Sequence, residues 1–241
     1  PGEAERRRLT VMFFDLVGST ELSRKLDPED YRALITSFQE ACSAAVGRFD
    51  GHVAKYLGDG VLVYFGYPRA HEDDAERAVR AGLDGVAAVR ALDGGAGLHA
   101  RVGIASGLVV VGDVAGESVS EAGAISGDTP NLAARLQAIA EPDGVVIGER
   151  TQALLGDVFE CEDLGPQQLK GIEAPFRAWK VVAERRSESR FEAFHSGSLT
   201  NFVGREAEVE MLRLRWRQAK SGEGQVVLIS GEAGIGKSHL A

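Results

Sequence analysis

Asp15, Asp59 and the small-residue turn Gly18-Ser19-Thr20 are the groups whose types and spacing could do chemistry. Asp15 ends the apolar run Val11-Met12-Phe13-Phe14, which reads as a strand buried on both faces. A bare carboxylate at the edge of a core is costly unless it is paired or bound to a metal. Gly18, Ser19 and Thr20 follow at once and open toward a helical pattern. Backbone N–H groups at a tight turn into a helix attract anions. Asp59 lies in Gly58-Asp59-Gly60, the tip of a hairpin whose strands are expected beside the first strand. Carboxylates at one end of neighbouring strands can hold a pair of hard cations on oxygen ligands. Taken singly, Asp15 reads as a turn or capping residue and Asp59 as an ordinary Asp-Gly turn. Taken together with the Gly18–Thr20 turn, they point to a metal–triphosphate site.

A second phosphate signal lies near the other end. Gly231-Glu232-Ala233-Gly234-Ile235-Gly236-Lys237-Ser238 fits G-x-x-x-x-G-K-[ST] in full, after an apolar run at Val226–Ser230 that reads as a buried strand. Gly231 and Gly236 would let backbone amides cradle phosphates, Lys237 would reach the outer phosphates, and Ser238 would ligate magnesium. The chain stops at Ala241, before a strand that could carry a second metal-binding acid, so nucleotide hydrolysis is not expected of this unit.

The elements that must position these residues follow from periodicity. Strands are expected at Leu9–Val17, His52–Leu57, Val61–Phe65, Leu98–Ala105 and Leu108–Val114. Helices are expected over Leu22–Phe49, interrupted at Asp27-Pro28 with Asp27 as a cap, and over Glu72–Leu92. That order, βαββαβ, is a ferredoxin-like α+β sheet with helices on one face. A loop is expected over Gly116–Ala124, then a helix over Pro130–Ile139 capped by Thr129. A C-terminal subdomain follows: strand Val145–Ile147, helix Thr151–Leu155, and a strand pair, Phe159–Leu164 and Ala178–Val182. Lys170 lies in the turn between that pair. The polar stretch 184–198 reads as a linker between residues 1–183 and a truncated α/β P-loop unit at 199–241, which opens with a helix over Glu206–Ala219.

A net charge of −9 argues against a general nucleic-acid binder. It does not exclude a nucleotide, because a site's charge is local and metal ions add their own. No stretch approaches the roughly 20 apolar residues of a membrane span, so no membrane contact is expected of this segment. Cys42 and Cys161 have no metal-ligand spacing and suit a reducing compartment such as the cytoplasm. The chain begins at Pro1 rather than Met, and a piece of a longer protein is expected.

Four motifs in order carry a resemblance: Phe14-Asp15-Leu16-Val17-Gly18-Ser19-Thr20, Lys55-Tyr56-Leu57-Gly58-Asp59-Gly60, Arg101-Val102-Gly103-Ile104 and Gly127-Asp128-Thr129-Pro130-Asn131-Leu132-Ala133-Ala134-Arg135. From about Leu9 to Val182 the chain resembles the class III nucleotide cyclases. It most resembles the bacterial adenylate cyclases that are followed by an AAA/STAND-type P-loop ATPase, and Phe202-Val203-Gly204-Arg205-Glu206 is similar to the opening of those ATPases.

The resemblance implies conversion of ATP to 3′,5′-cyclic AMP and pyrophosphate with two metal ions per site, Mg2+ or Mn2+. Asp15, Asp59 and the Leu16 carbonyl would hold the metals. Arg101 and Lys170 would contact the terminal phosphates, Asn131 would orient the ribose, and Arg135 would stabilise charge on the α-phosphate. Asn131 and Arg135 are four apart on a helix and share a face. Lys55 matches the base-reading position; a lysine only donates, and adenine N1 accepts where guanine N1 donates, so Lys55 argues for ATP. Ala124 departs from the pattern, standing where related enzymes place Asp, Thr or Ser to hold the adenine amino group. The resemblance also implies a homodimer with shared sites: Asp15, Asp59 and Arg101 from one copy, Lys55, Asn131, Arg135 and Lys170 from the other. The alternatives are a guanylate cyclase, or a catalytically weak ATP-binding dimerisation module of a P-loop signalling protein.

Overall fold

β1 (Glu5–Leu16) runs through the middle of the sheet, paired antiparallel to β3 (Gly60–Phe65) on one side and to β4 (Ala100–Val114) on the other. Both of its faces are covered, which is why Leu9–Leu16 is almost continuously apolar. The structure, a computed structural model, describes residues 5–92, 97–114, 121–169, 175–185, 206–222 and 224–230. The chain divides into two compact units, Pro1–Arg186 and Ser187–Ala241.

In the first unit β2 (His52–Leu57) continues the sheet beyond β3. On the far side β4 pairs in parallel with β6 (Val145–Gly148), followed by β8 (Phe176–Glu184) and β7 (Phe159–Gln167). The order β2-β3-β1-β4 is that of the ferredoxin-like unit, and β6, β8 and β7 form the C-terminal extension. The helical stretch after β1 is broken as Asp27-Pro28 foretells, into α1 (Ser19–Lys25) and α2 (Pro28–Arg48). Asp27 holds the N-cap position, but its side chain makes no capping hydrogen bond.

α2 and α3 (Asp74–Ala91) cover one face. There Gly85 leaves room for the Phe14 ring, and Gly82 lies against Val102 and Ile104. Burying such a side chain fully contributes about 1.5–3 kcal/mol. α4 (Asp128–Ile139) covers the opposite face, packing Ala133 and Leu136 with Val11, Leu62 and Ala105. In the βαββαβ unit α2 and α3 thus lie on one face, as expected, and α4, which follows that unit, lies on the other.

Four expectations need correction. The break expected near Ser106-Gly107 does not occur, and β4 is one strand. Those small residues serve packing: Ser106 Oγ is hydrogen-bonded to Thr10 Oγ1 at 2.8 Å and to Thr151 Oγ1, on α5 (Glu149–Leu155), at 3.0 Å. A side chain at Gly107 would meet Thr129 Oγ1 at 2.4 Å. The end of the expected loop at 116–124 is strand: β5 (Glu121–Ser126) pairs with the far end of β4. Thr129 does not cap α4. Gly127 holds the N-cap position at φ 146°, which an L side chain rarely adopts, and the buried Thr129 hydroxyl donates to the Leu108 carbonyl at 3.4 Å. Finally, Val226–Ser230 is not a strand, and Val226 and Leu228 are 98% and 89% exposed. A buried parallel strand needs neighbours on both edges, and none is present among the described residues of the second unit. That unit's α6 (Glu206–Lys220) forms as its periodicity indicates. Among the described residues no helix is long and apolar enough to cross a membrane.

Candidate active site

The register of β1 sets Asp15 opposite Gly60 on β3 and opposite Arg101 on β4. The hairpin tip folds back onto the end of β1, where the Leu16 N–H donates to the Asp59 carbonyl at 3.0 Å. Two glycines make this possible. Gly58 takes φ +66°, and a side chain at Gly60 would crowd the Phe14 carbonyl at 3.2 Å. The Asp59 carboxylate accepts from the Ser19 hydroxyl in the first turn of α1, after Gly18 at φ 73°. Ser19 is buried and Thr20 exposed. Asp15, Leu16, Gly18, Ser19, Asp59 and Arg101 thus converge at one end of three strands.

The electrostatics are short of positive charge. Burial, and then the neighbouring Asp59 carboxylate, push the Asp15 carboxyl above its usual value. Arg101 and a hydrogen bond from Gln137 pull the other way without cancelling the rise. Arg101 Nε is buried without an acceptor among the described residues, so this donor is left over for a group beyond them. No group of three His, Cys, Asp or Glu side chains that could hold a metal occurs among the described residues. Magnesium is characteristically held by one or two carboxylates plus substrate phosphates rather than in an all-protein cage. The oxygen donors of Asp15 and Asp59, beside an unpaired guanidinium N–H, fit that kind of site.

Sequence reasoning does not single out Gln137. Its Nε2 donates to Asp15 Oδ2 at 2.9 Å. The signal lies in the helix pattern, since Gln137 follows Ala133 by four residues and so falls on the stripe that faces the sheet. Arg135, two positions earlier, lies about 160° round the helix from Gln137. Asn131 is exposed and Arg135 half-buried. The helix that brings Gln137 to Asp15 therefore carries Asn131 and Arg135 away from it. Lys55 is exposed on β2 opposite Leu62, on the same sheet face as Asp15 but two residues along and two strands away. Lys170, the Ala124 side chain, and the P-loop residues Gly231, Gly236, Lys237 and Ser238 lie outside the described residues.

The sequence pattern of the adenylate and guanylate cyclase catalytic domain matches residues 3–182. The chain belongs to this family. The pattern of an AAA ATPase domain matches residues 201–241. An uncharacterized protein of Rhizobium meliloti (strain 1021) is 37% identical over 241 residues, covering 98% of this chain and 23% of that protein. Adenylate cyclase 1 of the same organism is 29% identical over 198 residues, 79% of this chain and 30% of that protein. The chain thus spans less than a third of the length of these curated relatives. Among solved structures, the adenylyl cyclase CyaB from P. aeruginosa superposes with a TM-score of 0.70 at 31% identity, over 77% of this chain and 98% of that one. The guanylate cyclase domain of RhGC from Catenaria anguillulae, solved with GTP, gives a TM-score of 0.70 at 24% identity over 76% of this chain and 100% of that one, a likeness of fold.

Within the cyclase domain the convergence of Asp15, Asp59 and Arg101 is a property of one chain. It is built on β1, β3 and β4 of the first unit.

Proposed function

We propose that this cyclase domain is an adenylate cyclase, forming 3′,5′-cyclic AMP and pyrophosphate from ATP at sites shared between two copies of the chain. The supporting observation is the meeting of Asp15 and Asp59 beside an Arg101 Nε–H that has no acceptor among the described residues. When bound, two Mg2+ or Mn2+ ions would supply activation of the ribose hydroxyl and neutralisation of the triphosphate. Asp15, Asp59 and the Leu16 carbonyl would hold them. Arg101 would take a terminal phosphate oxygen on its buried Nε–H, with Lys170 as a second cation. In the reaction the ribose 3′-hydroxyl would release its proton to solvent as its oxygen bonds to the α-phosphorus, the bond from that phosphorus to the oxygen bridging it to the β-phosphate would break, and pyrophosphate would leave with that oxygen and the electron pair. Arg135 would stabilise the charge that builds on the α-phosphate, and Asn131 would hold the ribose.

Helix geometry sets Asn131 and Arg135 on a different side of α4 from Gln137, which supports the reading that a second copy would complete the site. Lys55, also from the second copy, would donate to adenine N1, which selects ATP over GTP. The turn at Gly18, Ser19 and Thr20 would face the phosphates. Residues 1–183 would form the cyclase, 184–198 a linker, and 199–241 the start of an ATPase unit whose Lys237 and Ser238 would meet phosphate and magnesium. Two free cysteines, Cys42 and Cys161, suit a cytoplasmic setting.

The test is product identification. The protein is incubated with ATP or GTP and Mg2+ or Mn2+, and the nucleotides are separated by chromatography and mass spectrometry. Cyclic AMP and pyrophosphate in equal amounts are expected. Cyclic GMP as the main product, or bound but unaltered ATP, would overturn the reading.

A further inference from the structure

We propose that Gln137 is a positioning residue for the cation-holding carboxylate of Asp15, an inference that rests on the reading of Asp15 as a metal ligand. The hydrogen bond from Gln137 Nε2 to Asp15 Oδ2, 2.9 Å long, joins residues 122 positions apart. Two features hold the amide there. At Gly103 a side chain would fall 2.1 Å from the Gln137 backbone nitrogen and 2.2 Å from the Ala133 carbonyl, so α4 rests directly on the backbone of β4. Gly103 pairs with Phe13, and the Asp15–Arg101 pair follows two residues along the same sheet face. The root of the Gln137 side chain is therefore fixed relative to the strand that carries Asp15.

The choice of an amide has chemical meaning. A lysine or arginine at this position would also donate to Asp15, but its full charge would compete with a divalent cation. A glutamate would add a third negative charge beside Asp15 and Asp59 and could not donate. A neutral amide donates at every pH and adds no net charge. It can hold Oδ2, stop the carboxylate from swinging, and leave Oδ1 for a cation. Loss of a group that orients a metal ligand in this way typically costs about 10- to 100-fold in metal affinity or activity.

The experiment uses the full chain, the Gln137→Leu and Gln137→Met variants, and Asp15→Asn as reference. Mn2+ binding is followed by electron paramagnetic resonance with 3′-deoxy-ATP present, which lacks the attacking hydroxyl. Steady-state kinetics at saturating Mn2+ give KM for ATP, and thermal melts report folding. Loss of the donor is expected to weaken Mn2+ binding about tenfold or more, the usual scale for a lost partner of a metal ligand, while KM for ATP and Tm stay near wild type. Leucine and methionine variants that melt normally and bind Mn2+ as wild type does would overturn the role of Gln137. So would parallel losses of Mn2+ affinity, ATP affinity and Tm, which would mean that α4 had merely loosened. If the Gln137→Leu variant does not fold, the unbranched methionine variant decides between these outcomes. Mn2+ binding that is indifferent to Asp15→Asn would overturn the metal reading itself, and the Gln137 role with it.

Discussion

Asp15 and Arg101 stand directly opposite each other on antiparallel strands, yet Arg101 keeps a buried Nε–H without an acceptor among the described residues. Its charge lowers the Asp15 carboxyl pKa, but less than burial and Asp59 raise it. The pair is not a closed salt bridge, and part of the guanidinium remains for something else. If that is a terminal phosphate, Arg101→Met should raise KM for ATP roughly 10- to 150-fold, the equivalent of about 1.5–3 kcal/mol for a hydrogen bond to a charged group. Steady-state kinetics at saturating metal check this. An unchanged KM would mean that Arg101 serves only the sheet.

The raised Asp15 carboxyl also has a consequence for stability. Its folded-state pKa lies above the usual 3.8, so the folded chain holds that proton more tightly than the unfolded chain. Asp15 therefore costs the metal-free protein nothing below the unfolded value. The cost develops as pH rises through the folded value and is complete at neutral pH. Asp15→Asn should raise the Tm of the metal-free protein at pH 7 and have little effect near pH 3. The same variant should lose cyclase activity and the stabilisation by Mn2+ plus ATP. Calorimetry at the two pH values, with and without ligands, reads all of this; a lower Tm at pH 7 would contradict it.

The legible parts of the molecule are the local ones. An apolar run ending in Asp15 and a Gly-Asp-Gly hairpin each announce themselves within a few residues, and both acids arrive where their strands put them. Ser106-Gly107 misleads because small polar residues usually mark a turn. Here they stay in a strand, with Thr129 above Gly107 and Thr10 beside Ser106, contacts that only the folded chain supplies. β5 is held by pairing to β4 across the sheet edge rather than by its own composition. Gln137 is visible as a polar residue on an inward stripe, but its partner lies 122 positions away. Val226–Ser230 misleads for the opposite reason, since an apolar run becomes a strand only where a sheet receives it.

Base selection should turn on Lys55. Replacing its donor with an acceptor, Lys55→Glu, removes the contact to adenine N1 and offers one to guanine N1. The ratio of kcat/KM for ATP to that for GTP should fall at least about tenfold, within the range of a charge-assisted hydrogen bond. Competition assays with both nucleotides measure the ratio directly, and an unmoved ratio would place base recognition elsewhere.

Sharing of the site between copies can be tested by complementation. Asp15→Ala and Asn131→Ala proteins should each be inactive. Mixed under conditions of subunit exchange, half of the dimers are hybrids with one intact site each, so roughly a quarter of wild-type activity should return. Native mass spectrometry confirms that hybrids form. Hybrids without activity would show that Asn131 and Asp15 do not serve one site across the dimer.

Gly103 is where the fold and the site are bound together most tightly. A methyl group there would meet the Gln137 nitrogen and the Ala133 carbonyl, and both are backbone atoms, so no rotamer change can relieve the clash. α4 must move away from β4, or the strand must bend. Overpacking of this kind costs about 1–3 kcal/mol, sometimes more. Gly103→Ala should therefore lower Tm. Since α4 carries Gln137, Asn131 and Arg135 together, it should also reduce kcat and metal affinity at once. Gly107→Ala provides the comparison, because its methyl would meet the Thr129 hydroxyl in the first turn of the same helix. A side-chain oxygen can yield where a backbone nitrogen cannot, and the Gln137 end of the helix lies further along. The Gly107 variant should lose stability but keep most of its Mn2+ affinity. Equal losses of Mn2+ affinity in the two variants would mean that the close contact at Gly103 holds the helix but does not tune the site.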